Sequence, residues 1–183
     1  MTYSVEVLAD ILRVFIDHGV DFVVIGGTVV ELALKRRSFE GDIDLFVVNP
    51  SVLVEEELYR SIAEEHNWGY STTEVGTPRL IARTSSGDVV VELYENFMDI
   101  HVPEEILARA KSVKLGGVKF RVLHPEQYFV LKARQGVDLD KLSRYAQLLK
   151  RIDQKLIRES INCYPRDEQE LIAERLRSIG LRI

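Results

Sequence analysis

The sequence contains one cysteine, Cys163, in 183 residues, and its apolar runs all fall well short of a membrane-spanning helix, which needs about 20 residues. A single thiol excludes an internal disulfide and a thiolate metal cluster. Because it has no local catalytic partner, Cys163 is predicted to be a semi-buried structural thiol. The amino terminus has no basic segment followed by an apolar signal core. We therefore expect a soluble cytoplasmic protein that does not contact membranes.

The chain also lacks low-complexity tracts, internal repeats and a large excess of one charge. Its formal net charge is −5, which argues against a general nucleic-acid-coating protein. The clearest basic patch is Lys35–Arg37, and a second basic stretch runs from Arg175 to Arg182. An RNA contact through these residues stays an alternative, although the second stretch is better explained as a solvated helix face.

Apolar periodicity and turn residues predict an alternation of helices and strands that gives way to helices alone. The predicted helices cover about 4–18, 29–36, 51–66, 125–135, 139–157 and 167–179, and the strands cover 22–25, 43–48, 80–83, 89–94, 113–115 and 118–122. Two hairpins are expected, one around 84–88 and one around Gly116-Gly117. This order predicts an α/β (α+β) fold with a mixed β-sheet flanked by helices and a C-terminal helical part. We expect a core over residues 1–100, with 101–183 packed on it in one compact unit.

Two glycines and a threonine, Gly26-Gly27-Thr28, follow the first buried strand and precede a helix. The unpaired N–H groups of a first helical turn can bind an anion, and glycine lets a phosphate approach the backbone closely. Thr28 and Glu31 also match a capping box, so a purely structural role for the threonine is an alternative. The turn lacks the GxxxxGK[ST] pattern of a Walker loop.

Asp42 and Asp44 interrupt the beginning of the second apolar strand. Side chains two positions apart in a strand point to the same face, so both carboxylates can converge on one cation while Ile43 and Leu45 face the core. Their mutual repulsion is relieved most directly by a hard divalent metal ion. The alternative is that Asp42 caps a loop and Asp44 pairs with an arginine.

Glu92 interrupts a third apolar strand in the same way. If this strand lies beside the Asp42/Asp44 strand, three carboxylates can hold the two cations used in phosphoryl or nucleotidyl transfer. The neighbouring acids are predicted to have simpler roles: Glu95 and Asp99 as solvated loop charges, and Asp88 as a turn residue.

The succession of an apolar strand, G-G-[ST], a helix, D-I-D-L and a later acidic strand resembles the nucleotidyltransferase fold of the DNA polymerase beta superfamily. Within it, the chain is most similar to the minimal prokaryotic nucleotidyltransferases related to the abortive-infection toxin family. The resemblance covers residues 20–95 by motif and continues less specifically through HPEQYFVLKARQGVDLDKL. It makes residues 1–100 the expected nucleotidyltransferase core.

The resemblance implies a phosphate-binding group, a metal-binding group and a triphosphate-binding lysine. These are Gly26, Gly27 and Thr28 for the nucleotide phosphates, Asp42, Asp44 and Glu92 for two Mg²⁺ or Mn²⁺ ions, and Lys132 for the triphosphate. Glu92 would also orient or deprotonate the acceptor hydroxyl. For Lys132, a solvated position on a helix is an equal alternative.

The implied activity is metal-dependent transfer of a nucleoside monophosphate from a nucleoside triphosphate, such as ATP, to an acceptor hydroxyl, with release of pyrophosphate. The acceptor could be a protein, an RNA end or a small molecule. The chain departs from related sequences in having Glu40 where threonine is usual, Arg37 displaced by one position, and glutamate at position 92. These departures favour the alternative of a catalytically inactive binding or regulatory partner, for example in a toxin–antitoxin pair. A sugar-nucleotide glycosyltransferase would need more chain and a different order of motifs.

Overall fold

A computed structural model describes residues 2–183, which form a seven-stranded mixed sheet, a separate two-stranded sheet and eight helices. The strands are β1 (Thr2–Ser4), β2 (Asp21–Ile25), β3 (Ser38–Glu40), β4 (Ile43–Asn49), β5 (Gly69–Thr72), β6 (Pro78–Thr84), β7 (Gly87–Tyr94), β8 (Lys111–Leu115) and β9 (Val118–Val122). The helices are α1 (Val5–Asp17), α2 (Gly27–Ala33), α3 (Glu56–Glu65), α4 (Glu104–Ala108), α5 (Pro125–Gln135), α6 (Leu139–Leu148), α7 (Gln154–Ile161) and α8 (Arg166–Ser178).

The large sheet has the strand order β5-β6-β7-β4-β2-β9-β8. Its centre is the antiparallel pair β2–β4, with β7 parallel to β4 on one side and β9 parallel to β2 on the other. The central strands are apolar and almost fully buried, as expected for strands covered on both faces. The predicted α/β fold with a mixed sheet is therefore confirmed.

The contacts divide the helices into those that pack on the sheet and those that pack mainly on α5. Helix α1 packs against β8 and β9 and buries Leu8, Ile11, Leu12 and Phe15, the residues whose spacing predicts its apolar face. Helix α3 packs against β5 and β6, whereas α5 contacts α2, α6, α7 and α8. Strand β9, from the C-terminal part, pairs with β2, so residues on both sides of position 100 build one sheet.

Both predicted hairpins are confirmed. Strands β6 and β7 are joined through Ser85-Ser86, and β8 and β9 through Gly116-Gly117. The two glycines have φ values of 53° and 78°, which other residues adopt only with strain.

The predicted helix over 139–157 is wrong, because the chain forms two helices there. After α6, Leu149 takes an extended conformation, and Asp153 caps the start of α7 by accepting hydrogen bonds from the N–H groups of Lys155 and Leu156. The N–H group of Asp153 donates in turn to Glu126 of α5 over 2.9 Å. The start of α7 is therefore held both by its own cap and by a contact with α5.

The helix predicted from Ser51 begins five residues later, at Glu56. The carboxylate of Glu95 accepts hydrogen bonds from the Ser51 hydroxyl at 3.1 Å and from the Val52 N–H at 2.7 Å, which holds this segment in a turn. The prediction that Glu95 is a solvated loop charge is therefore wrong.

Four short elements were not predicted: β1, β3, β5 and α4. Strand β1 pairs with β3 and so lies beside the segment that leads into Asp42. Cys163 is half-buried, and its thiol donates to the Glu159 carbonyl, in agreement with a structural role. Across residues 2–183, every helix is too short or too polar to cross a membrane.

Candidate active site

The glycine turn lies directly against Asp44. Ile25, the last residue of β2, is paired with Asp44 of β4, so Gly26 is placed beside the aspartate. A Cβ atom on Gly26 would lie 1.8 Å from Asp44 Oδ2, and the residue has a φ of 72°. Both features require glycine, because any side chain would collide with the carboxylate and strain the backbone. The turn thus brings the start of α2 and an acidic group together.

Thr28 does not form the predicted capping box. The N-cap residue of α2 is Gly26, and it makes no side-chain cap. The Thr28 hydroxyl is buried and hydrogen-bonded to the Tyr3 hydroxyl at 3.0 Å, while Glu31 accepts from the N–H group of Glu40 at 3.0 Å. The threonine side chain therefore packs into the protein interior behind the turn, and its hydroxyl does not reach solvent.

The three predicted carboxylates lie at the start of β4 and on the neighbouring β7. Asp44 is paired in register with Glu92, so adjacent parallel strands place these side chains side by side. Ile43 and Leu45 are fully buried, as the alternation predicts, whereas Asp44 is partly buried and Asp42 is exposed just before the strand. No salt bridge to either aspartate occurs within residues 2–183, so the alternative pairing of Asp44 with an arginine is not found.

The electrostatics of the site reflect crowded negative charge. Burial, together with the nearby Glu92 carboxylate, raises the pKa of Asp44 to about 7, against an ordinary value of 3.8. Lys132 and Lys141 act in the opposite direction on the same group. Burial and Glu92 also raise the pKa of Asp42. A proton or a cation near Asp44 is therefore favoured.

Glu92 is held by two side chains that the sequence analysis did not single out. Arg79 of β6 donates from Nε to Glu92 Oε1 over 2.8 Å, and its Nη2 lies 2.5 Å from the same oxygen. The Tyr94 hydroxyl donates to Oε2. Consequently the three carboxylates are not gathered around one point: within residues 2–183, the one trio of histidine, cysteine or acidic side chains with ligand atoms all within 4.8 Å lies elsewhere.

A cleft of about 640 Å³ opens above this row of residues. It lies between the sheet, helices α5 and α8, and the segments 73–75 and 99–102. Of the predicted site residues, Gly26, Asp44, Glu92 and Lys132 line it, whereas Gly27, Thr28 and Asp42 do not. The structure thus brings four of the seven predicted site residues together around the cleft, and the other three lie outside its lining.

Two lysines lie close to the acidic row from different helices. Lys132 of α5 lines the cleft, and its Nζ is 3.1 Å from Asp138 Oδ2. Lys141 of α6 was not predicted. A Cβ atom on Gly27 would lie 3.4 Å from Lys141 Nζ and 3.1 Å from the Tyr145 hydroxyl, so this lysine stands over the glycine turn. No local pattern marked Lys141, because its place beside the glycine turn depends on the packing of α6 against α5.

The basic patches named above lie away from the cleft. Lys35–Arg37 is exposed and does not line it. Arg175 donates to the carbonyl groups of Ala133 and Arg134 at the end of α5, at 2.8 and 2.7 Å. Arg175 is therefore a structural residue that caps a helix rather than part of a solvated basic face.

Solved structures similar to this chain share its fold. An antigenic nucleotidyltransferase-like protein from Paracoccidioides brasiliensis has a TM-score of 0.62 and 16% identity, covering 97% of this chain and 91% of that one. ANT(2'')-Ia, solved in complex with adenylyl-2''-tobramycin, has a TM-score of 0.51 and 16% identity, covering 95% and 97%. At this identity the likeness shows the fold alone, which is the predicted nucleotidyltransferase fold.

No curated protein sequence matches the chain significantly. A family model does match it, over residues 4–178, and that family is described as "Nucleotidyl transferase of unknown function (DUF2204)". The match spans nearly the whole chain, including the glycine turn, the acidic row and helices α5 to α8. The chain therefore belongs to this family and is an enzyme of the nucleotidyltransferase class.

Proposed function

We propose that the cleft transfers a nucleoside monophosphate from a nucleoside triphosphate, ATP among them, to an acceptor hydroxyl and releases pyrophosphate. The observation that carries this proposal is the row formed by Gly26, directly after β2, with Asp44 of β4 and Glu92 of β7. This row is open to a cleft large enough for a nucleotide. A backbone that a phosphate can approach stands there beside carboxylates suited to a hard cation.

Asp42, Asp44 and Glu92 would hold Mg²⁺ or Mn²⁺. The donor set fits such ions, because all three groups offer carboxylate oxygen and the raised pKa of Asp44 marks negative charge without a paired cation. When bound, these ions neutralise the phosphates of the donor and favour in-line displacement. A metal contact from Glu92 would replace one of its hydrogen bonds to Arg79 and Tyr94.

The donor phosphates would bind between the glycine turn and the two lysines. The N–H groups of Gly27 and Thr28 lie in the first turn of α2, where such groups have no partner within the helix. Lys132 would reach the triphosphate from the cleft side, and Lys141 from above Gly27. Thr28 would take part through its backbone, since its hydroxyl is bonded to Tyr3.

The acceptor best suited to the cleft is a small hydroxylated molecule with positive charge. Beyond Asp44 and Glu92, the cleft is lined by the acidic residues Glu74, Asp99 and Glu168, and acidic lining residues outnumber the basic ones. Glu168 is ion-paired with Arg134, so Glu74 and Asp99 supply the negative charge of this wall. Such a wall repels the phosphates of an RNA end and attracts amines. The complex of ANT(2'')-Ia with adenylyl-2''-tobramycin is consistent with this class. A protein hydroxyl would have to enter the same cleft.

The hydrogen bonds of Glu92 support a second candidate, a catalytically inactive nucleotidyltransferase fold that acts as a binding or regulatory partner, for example in a toxin–antitoxin pair. Both carboxylate oxygens of Glu92 are already engaged, and the three acids do not converge on one point. In this candidate, Arg79 takes over the charge-balancing role of a metal ion.

Calorimetric titration with each common nucleoside triphosphate, with Mg²⁺ or Mn²⁺ and without metal, separates the two candidates. We expect metal-dependent binding that Asp44→Asn weakens at least tenfold, or ~1.4 kcal/mol. Asp88→Asn is the matched control, because Asp88 is an exposed acid at the turn end of the β6–β7 hairpin and does not line the cleft. Nucleotide binding that depends neither on metal nor on Asp44 would overturn the catalytic proposal and favour the regulatory partner. Release of pyrophosphate with a panel of aminated sugars then tests the acceptor class.

A further inference from the structure

A second cluster of metal-ligating side chains lies outside the cleft. It consists of His18, Glu65 and His66, whose ligand atoms all lie within 4.8 Å of one another, and none of the three lines the cleft. We call it the His-Glu-His cluster. His18 follows the last residue of α1, and Glu65 and His66 end α3, so the cluster joins the C-terminal ends of two helices.

The orientation of His18 is that of a metal ligand. Its Nδ1 is 2.8 Å from the carbonyl oxygen of Val14, which can only accept a hydrogen bond, so Nδ1 carries the hydrogen. Nε2 lies 3.0 Å from Glu65 Oε2, so without a metal ion this nitrogen carries a proton and donates it to the carboxylate. A divalent ion that displaces this proton would find the Nε2 lone pair and the carboxylate oxygen side by side. Metal-bound histidines are typically held in this way, with the second ring nitrogen donating to a carbonyl group.

His66 is held by aromatic neighbours. Its ring lies 5.5 Å from the His18 ring and 5.4 Å from the ring of Trp68. Trp68 in turn contacts Phe15 in the core, with ring centres 6.2 Å apart. A chain of packed rings thus connects His66 to the interior, which limits its freedom and reduces the entropy lost on binding a ligand.

The surroundings favour a cation. The C-terminal ends of α1 and α3 both direct partial negative charge toward the cluster. The Glu65 side chain is 63% exposed and His18 22%, so an ion and its water can enter without rearrangement of the core. An ordinary ion pair between His18 and Glu65 would not require His66, which stands within reach of both.

We propose that His18, Glu65 and His66 form a binding site for a zinc-class divalent ion that fastens the end of α1 to the end of α3. Two imidazole nitrogens and one carboxylate oxygen are ligands for Zn²⁺, Co²⁺ or Ni²⁺, whereas Mg²⁺ and Ca²⁺ prefer oxygen alone. Three protein ligands leave a fourth position for water. The site is independent of the nucleotide-binding cleft and does not depend on the proposed transfer reaction.

The test is calorimetric titration of the full tag-free chain with Zn²⁺, comparing the native protein with His18→Gln and His66→Gln. We expect one site in the native protein, weakened at least tenfold by either substitution. His101→Gln is a control for loss of a histidine elsewhere, and Asp44→Asn is a control for zinc binding at the carboxylates of the cleft. Both controls should keep the native affinity.

A cobalt titration provides a second readout that does not depend on affinity. Co²⁺ bound to the native protein should give the visible absorption of a four-coordinate site, and His66→Gln should abolish it. Because His66 is exposed at a helix end, this variant should remain folded even if His18→Gln does not. Zinc binding that survives both histidine substitutions, that is lost in Asp44→Asn, or that is absent from the native protein would overturn the proposal.

Discussion

The two hairpins, β6–β7 and β8–β9, have the same construction and different contents. Each joins antiparallel strands through a two-residue turn, and each then pairs in parallel with a central strand, β7 with β4 and β9 with β2. In β6–β7, Arg79, Glu92 and Tyr94 line the cleft, whereas no residue of β8–β9 does so.

The difference lies in the side chains that face the central pair of strands. Glu92 of β7 is in register with Asp44, which doubles the negative charge at one end of β4. On the opposite side, β9 places Arg121 and Val122 beside Val23 and Val24, and Arg121 only pairs with the exposed Asp21. The same topology can therefore carry chemistry or merely extend the sheet, depending on one or two charged positions.

The sharpest test of this difference is Glu92→Gln, which keeps the shape of the side chain and removes its charge. We expect nucleotidyl transfer to fall about a hundred- to a thousand-fold, the range found when a transition-state electrostatic partner is lost. Lys114→Gln, on an exposed position of β8, is the matched change in the other hairpin and should leave the rate unchanged. Equal losses in both variants would contradict the proposed division of roles.

The next test concerns pH and Asp44. Its pKa is about 7 in the folded protein and near 3.8 in the unfolded chain, so the folded state binds the extra proton between these values. Without metal, the free energy of unfolding should therefore fall as pH rises from about 4 to about 7. Asp44→Asn should flatten this slope in urea unfolding measured at several pH values, while Asp88→Asn should keep it. Parallel curves for the native protein and Asp44→Asn would refute the assignment.

In the second hairpin the expected effects are on stability. A Cβ atom on Gly116 would lie 2.5 Å from the Ala9 Cβ of α1, at a φ of 53°, whereas a Cβ on Gly117 would meet nothing within 4 Å. Gly116→Ala should therefore lower the free energy of unfolding by about 1–3 kcal/mol and Gly117→Ala by less. Both variants should retain metal-dependent nucleotide binding at a temperature where they are folded. Loss of binding in a folded Gly116→Ala protein would show that this hairpin also shapes the site.

The smallest effect is expected for Arg79→Met. Arg79 supplies positive charge to Glu92, so its removal should increase the attraction of the carboxylates for Mg²⁺. Because Arg79 is one-third exposed, solvent screening limits the gain to roughly fivefold in affinity, on the order of 1 kcal/mol. Arg83→Met, on the same strand but outside the cleft, serves as the control in the same magnesium titration. An unchanged or weaker affinity in Arg79→Met would mean that the arginine does not compete with the ion.

Local patterns predicted the parts of the site that neighbouring residues determine. The strand–glycine–helix turn and the alternation around Asp44 follow from residues within a few positions of one another. The position of Arg79 opposite Glu92 depends on which two residues form the hairpin turn. Residues 84–88 are all turn formers, so the sequence does not show which two of them form the turn. The turn at Ser85-Ser86 is what places Arg79 opposite Glu92.

Predictions from local patterns failed where a side chain or N–H group binds a partner from a distant segment. Thr28 and Glu31 have the spacing of a capping box, but Tyr3 binds the threonine, and the N–H group of Glu40 binds the glutamate. Apolar spacing likewise continues across the end of α6, where Leu149 is extended and the N–H group of Asp153 donates to Glu126 of α5. In both cases a residue far away in sequence offers a better partner than the local one.

The hydrogen bond between Tyr3 and Thr28 has a practical consequence for work on this protein. Strand β1 pairs with β3 just before Asp42, and Tyr3 reaches beneath the glycine turn, so residues 2–4 form part of the support of the cleft. An affinity tag fused directly ahead of these residues would press on that support and could weaken nucleotide binding without touching a ligand. Removal of any such tag before the nucleotide, metal and unfolding measurements avoids this effect.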